Sequence, residues 1–115
     1  MQETLDLALE ANCEFANFYC AMAYPGSKLY DMAVENNWPL PESWIGYSQH
    51  SYEAFPLRTE KLTNAEVLKF RDEAFMKYFT HPKYLELVNE KFGPHVVEHL
   101  NEMTKIKLKR KILGD

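Results

Sequence analysis

The sequence predicts a mainly α protein, with a three-helix C-terminal core preceded by a strand, a tight turn and a short helix. Three observations carry this reading. From Thr63 onward, apolar residues recur at helical spacing in three consecutive blocks. Only one run in the chain, Phe15–Tyr24, favours β structure, and one strand cannot make a sheet. That run stops at Pro25-Gly26, and a helical pattern begins at once from Ser27.

The bulk composition sets the limits. At 115 residues the chain is one domain or a piece of one, and 46% hydrophobic residues are enough for a real core. A net charge of -4 argues against a domain-wide nucleic-acid surface. No apolar run approaches the roughly 20 residues that a membrane span needs. The opening MQETLDLALE carries acidic residues and no basic segment, so it does not read as a signal peptide. Two cysteines, Cys13 and Cys20, are too few for a disulfide scaffold, and a cytoplasmic setting is expected.

Taken in order, Thr4–Ala11 reads as a short helix with Leu5, Ala8 and Leu9 on one face. The central run holds Phe15, Phe18, Tyr19, Cys20, Met22 and Tyr24 without clean alternation, which suits a strand covered on both faces. Ser27 is placed to cap the following helix, which carries Leu29, Tyr30, Met32, Ala33 and Val34 and ends near Asn36-Asn37. Trp38–Leu57 is irregular, punctuated by Pro39, Pro41, Gly46 and Pro56. It also carries Trp38, Trp44, Tyr47, Tyr52 and Phe55. So many aromatic side chains favour a loop that packs itself against the helices.

Thr63-Asn64-Ala65-Glu66 is a capping box, opening a helix to about Phe79 whose apolar residues cover most of its circumference. Pro82 suits the first position of the next helix, with Tyr84, Leu85, Val88 and Phe92 as its apolar face. Gly93 closes that helix and Pro94 opens the last. Val96, Val97, Leu100, Met103 and Ile106 line its seam into the basic end KIKLKRKIL.

Four features bear on chemistry. His95-Val96-Val97-Glu98-His99 matches the HxxEH pattern of inverted zinc peptidases. Such a site needs a further ligand downstream, and only 16 residues follow His99, so two helical histidines flanking a buried seam is the favoured reading. Cys13 and Cys20 are seven apart with no third cysteine, so the chain alone builds neither a zinc ribbon nor an iron–sulfur cluster. Cys20 reads as a small core residue, with a reactive thiol as the sharper alternative. Lys105, Lys107, Lys109, Arg110 and Lys111 read as a solvated helix end favoured by the macrodipole, with phosphate or RNA binding as the alternative. His50 stands out among the histidines because it lies in the aromatic segment YSQHSYE.

The run FANFYCAMAYPGSKLYDMA resembles the last strand-turn-helix of a radical S-adenosylmethionine (radical SAM) barrel. The downstream blocks W-x5-W-x2-YSQHSYE, PLRT, LKFRDEAFMKYF, KFGP and LKRKIL are similar to the C-terminal extension of radical SAM proteins of the cobalamin-binding-domain type. Anaerobic porphyrin-ester-cyclase-like and hopanoid-type enzymes are among them. The resemblance covers nearly the whole chain and implies three parts. Residues 1–37 would be the end of a (β/α) barrel, 38–62 an aromatic connecting loop, and 63–115 a helical extension.

The family's chemistry is reductive cleavage of S-adenosylmethionine followed by radical methylation or cyclisation. It starts from a 4Fe–4S cluster on a CxxxCxxC motif that this chain lacks. The resemblance therefore implies a C-terminal fragment, inactive alone and with no cofactor of its own. The parent enzyme would hold the cluster and S-adenosylmethionine, with cobalamin as an optional third group. Tyr24, Pro25 and Gly26 would sit at the mouth of the cofactor site. The expected partners are the missing barrel and cobalamin domain, or a second copy joined through the apolar Phe15–Tyr24 run. The competing expectation is a helical interaction module without chemistry.

Overall fold

A computed structural model describes residues 1–115. Five α-helices follow one another: α1 (Gln2–Ala11), α2 (Lys28–Glu35), α3 (Asn64–Phe79), α4 (Pro82–Phe92) and α5 (Pro94–Lys105). Short 3-10 turns at Trp44–Tyr47 and Lys111–Leu113 complete the regular structure, and no strand forms. The protein is thus mainly α. No helix is long and apolar enough to cross a membrane.

The predicted strand over Phe15–Tyr24 is corrected, and with it the strand-turn-helix remnant of a barrel. From Ala16 to Met22 burial does alternate with period two, even-numbered residues turned inward and odd-numbered ones outward. That is the periodicity of an extended chain. A ladder also needs a neighbouring strand, and the chain offers none. The run is held instead by separate hydrogen bonds.

The chain divides into two compact units. The first comprises Met1–Phe18 and Asp72–Lys107. Its core is Tyr78, Phe79, Tyr84, Val88 and Leu100, with Ala8, Leu9, Phe18, Val96, Val97 and Met103 packed around it. Tyr78 and Tyr84 rings lie 4.9 Å apart, and Phe79 meets Tyr84 edge-on at 5.4 Å. The buried hydroxyls find acceptors in consecutive residues: Tyr78 donates to the Cys13 carbonyl and Tyr84 to that of Glu14 at 2.9 Å. Burial pushes both hydroxyl pKa values up, so both stay protonated donors. The seam of α5 ends earlier than its sequence pattern indicates. Ile106 leaves the helix with extended backbone angles and is 70% exposed, and Phe92 at the end of α4 is 50% exposed.

The second unit comprises Tyr19–Arg71 and Leu108–Asp115. It has two small clusters instead of one core. Cys20, Ala54, Val67 and Leu68 gather with Leu62 and Ile112. Ala23, Ala33 and Leu57 gather with Leu29, Tyr30, Trp38 and Leu40. The aromatic loop is only partly packed, since Trp38 joins a cluster while Trp44 is 77% exposed.

The capping box forms as its spacing predicts. The Thr63 hydroxyl accepts from Glu66 N–H at 3.2 Å, and the Glu66 carboxylate accepts from Thr63 N–H at 2.8 Å. Along α3 only Glu66, Lys69, Glu73 and Lys77 are exposed, a single charged stripe on a helix that is otherwise covered.

Candidate functional site

Of the residues that sequence reasoning singled out, Cys20, Tyr24, Pro25, Gly26 and His50 lie in the second unit, and Cys20, Tyr24 and His50 line one groove. At Pro25-Gly26 the chain makes a type II turn: proline takes the second position and Gly26 the third, at φ 87°. That φ is open to glycine and strained for other residues. Ser27 N–H donates to the Tyr24 carbonyl at 3.0 Å, and the Ser27 hydroxyl donates to the same oxygen at 2.7 Å. That hydroxyl also accepts from Tyr30 N–H at 3.1 Å, so one side chain closes the turn and caps α2. A Cβ added at Gly26 would meet nothing within 4 Å, which leaves the backbone open to close approach.

The groove, about 500 Å³, runs beside the turn and is walled by Tyr19, Met22, Tyr24, Tyr47, Gln49 and His50. Tyr24 and Tyr47 rings lie 5.8 Å apart, and Trp44 lies 6.0 Å from Tyr47. Tyr19, 61% exposed, meets the His50 ring edge-on at 6.4 Å. Desolvation pushes the Tyr47 pKa up, so its hydroxyl is neutral at any physiological pH.

The floor of the groove is held by Gln49. Its Nε2 donates to the Cys20 carbonyl and its Oε1 accepts from Cys20 N–H, both at 2.9 Å. One primary amide thus satisfies both backbone groups of one residue, as the peptide of an adjacent strand would. On the chain's other side, Leu57 N–H donates to the Ala21 carbonyl at 2.9 Å. Cys20 itself is buried, its Sγ 4.0 Å from the Val67 carbonyl. The thiol is therefore a core group, and the groove offers ring faces, hydroxyls and an imidazole.

Gly46 fixes the loop that carries these residues. A Cβ there would stand 2.6 Å from the Pro41 Cβ, and the Gly46 carbonyl accepts from Phe55 N–H at 2.8 Å. The C-terminal tail holds the same loop from another side. Arg110 Nη1 donates to the Ser51 carbonyl at 2.8 Å, Lys111 N–H to the Tyr52 carbonyl at 2.8 Å, and the Tyr52 hydroxyl to the Asp115 carbonyl at 2.9 Å.

Tyr24 therefore lines the groove with Tyr19, Tyr47 and His50, while Pro25 and Gly26 follow it in the adjoining turn and are not part of the lining. The other sequence candidates do not join them. On α5, His95, Glu98 and His99 face solvent while Val96 and Val97 pack into the first unit's core. No three His, Cys, Asp or Glu side chains gather in a metal-holding group. The solvated helix end predicted for the basic tail is corrected, because α5 stops at Lys105 and Arg110 is fully buried. Gln49 is a residue that sequence reasoning missed, and the sequence presents Arg110 only as one cation of a basic run, not as a buried support. A side chain bonding to distant backbone leaves no periodic trace, and Arg110 sits among lysines that are exposed.

Comparison with known proteins gives a distant relationship. The chain is 25% identical over 85 residues to a Pyrococcus horikoshii protein described as an uncharacterized methyltransferase. The match takes in 74% of this chain and 18% of that protein, so the chain spans less than a fifth of the length of the curated relative it matches. No family model and no solved structure matches. The chain is thus similar, over most of its length, to a small part of a methyltransferase.

Proposed function

We propose that this chain is the C-terminal segment of a larger methyl-transferring enzyme of the radical SAM class, with Tyr24, Pro25 and Gly26 at the mouth of its cofactor site. The observation that carries the proposal is the match of most of this chain to a small part of a methyltransferase. The resemblance of FANFYCAMAYPGSKLY and the downstream blocks to radical SAM proteins gives the class. A methyltransferase relative favours methylation over cyclisation. Exposed apolar side chains such as Trp44 and Ile106 suit a piece that the rest of an enzyme covers.

The residues fit the two implied groups differently. Cys13 is exposed and Cys20 is buried, and with no third cysteine they cannot hold a 4Fe–4S cluster. The cluster, and any cobalamin, would belong to residues outside this chain, in the barrel and cobalamin domain proposed as its partners. What supports S-adenosylmethionine here is an open backbone at Gly26, two residues after the half-exposed ring of Tyr24. Such an enzyme would work in the reducing cytoplasm.

The test compares the protein encoded by the longer reading frame with this chain, both prepared anaerobically. The longer protein should carry a CxxxCxxC motif, assemble a cluster and release 5′-deoxyadenosine from S-adenosylmethionine, while this chain does neither. In the longer protein, Tyr24→Ala should weaken S-adenosylmethionine binding by about three- to tenfold, the worth of one aromatic contact. A reading frame without the cysteine motif would overturn the proposal and favour a helical interaction module. So would stoichiometric cluster assembly on this chain alone.

A further inference from the structure

We infer that Arg110 is the positioning residue of the groove: through the loop it binds, it sets the Gln49 amide against the Cys20 backbone. The tail Leu108–Asp115 lies in the same unit as the groove and is fastened to residues 51 and 52. The Arg110 side chain is 0% exposed, and its guanidinium reaches the Ser51 carbonyl two residues after Gln49. Its own backbone N–H donates to the Asp115 carboxylate at 2.8 Å, which closes the tail on itself. The Tyr52 hydroxyl, bonded to the Asp115 carbonyl, ties that closed turn back to the loop. Ile112 packs against the Cys20 cluster from the same tail.

The loop is anchored at one end by Gly46, whose carbonyl accepts from Phe55 N–H. Between Gly46 and Phe55 there is no α-helix, and Ser51 is held locally by its hydroxyl on the Ile45 carbonyl at 2.8 Å and from the tail by Arg110. Arginine suits this task because its guanidinium stays charged when buried and donates several bonds in fixed directions. A buried charge must stay bonded, which makes any displacement of Ser51 costly.

Two N–H groups bonded along the Tyr19–Tyr24 run provide a built-in discrimination. Cys20 N–H is bonded to Gln49, whereas Leu57 N–H is bonded to Ala21 from the other side. Arg110→Met keeps much of the buried volume and removes the donors. Amide exchange at Cys20 should then accelerate about tenfold or more, as expected for losing a bond to a charged group, while Leu57 stays within about twofold. Arg110→Lys, which keeps a donor, should fall between the two. If Cys20 and Leu57 accelerate together, Arg110 is merely structural and the inference fails. It fails equally if neither amide moves. Should Arg110→Met lose its far-UV helical signal, Tyr52→Phe decides by removing only the hydroxyl bond to Asp115. Faster exchange at Cys20 alone supports the inference, and any other pattern overturns it. None of these readouts depends on methyl transfer, so the outcome is separate from that of the functional proposal.

Discussion

The two units differ in how much apolar packing stands behind their hydrogen bonds. The first is a helical assembly around Tyr78, Phe79 and Tyr84, where rings pack at 4.9 to 5.4 Å and two hydroxyls donate to carbonyls 65 and 70 residues away. The second has one eight-residue helix, α2, the start of α3 and a long irregular path, with two small apolar clusters. It too has side chains that bond to distant backbone, Gln49 on Cys20 and Arg110 on Ser51, but with only these small clusters behind them. Area-driven packing tolerates change in proportion to volume, whereas single polar keystones fail individually. The candidate groove lies in the second unit, where backbone remains open.

The largest expected effect is in the first unit. Phe79 is 1% exposed and contacts the rings of Phe75, Tyr78 and Tyr84. Phe79→Ala should cost about 3–5 kcal/mol, through lost burial and the cavity left behind. Far-UV circular dichroism during urea unfolding measures it, since α4, α5 and the end of α3 lie in this unit. A loss below that of the next substitution would break the comparison.

Gly46→Ala adds one methyl group to the second unit and should cost about 1–3 kcal/mol by overpacking against Pro41. Both tryptophans, Trp38 and Trp44, belong to this unit, so tryptophan fluorescence reports it selectively. A neutral result would mean that Pro41 yields, and the loop would then be softer than a 2.6 Å approach implies.

How far each unit was legible in the sequence follows from the same contrast. Thr63-x-x-Glu66, Pro82 and Gly93-Pro94 mark α3, α4 and α5 because caps and proline act within one turn of helix. The apolar stripes likewise located the first unit's core. Phe92 and Ile106 fit their stripes by spacing and yet are exposed, because a stripe outruns the neighbour that covers it. Phe15–Tyr24 has the composition of a strand and adopts its period-two burial from Ala16 to Met22. Its hydrogen-bond partner is a property of the rest of the fold, which no local pattern encodes. The Pro-Gly turn itself was legible, whereas Tyr24, Pro25 and Gly26 were named as site residues by the family resemblance, and of the three Tyr24 lines the groove. The supports at Gln49 and Arg110 act over separations of 29 and 59 residues and carry no spacing rule.

The smallest predicted effect concerns a cap, where local sequence and structure agree fully. The Glu66 carboxylate accepts first from Thr63 N–H and then from the Thr63 hydroxyl, both at 2.8 Å, and these bonds hold its pKa below the ordinary 4.5. A depressed carboxylate pKa gives stability that is fully present above the unfolded-state value and is lost as pH falls through the folded-state value. The cap should therefore hold at neutral pH and weaken only below about pH 4.5. Thr63→Ala should cost about 1 kcal/mol at neutral pH, because α3 loses the oxygen that accepts from Glu66 N–H. It should narrow the acid-dependent loss without abolishing it, since the residue-63 N–H still reaches the carboxylate. Glu66→Gln separates the two contributions: its amide oxygen can still accept from that N–H, but it does not titrate. Urea midpoints at neutral pH and below pH 4 test this. The glutamine variant should lose less stability on acidification than the parent, and equal losses would show that the cap's charge contributes nothing.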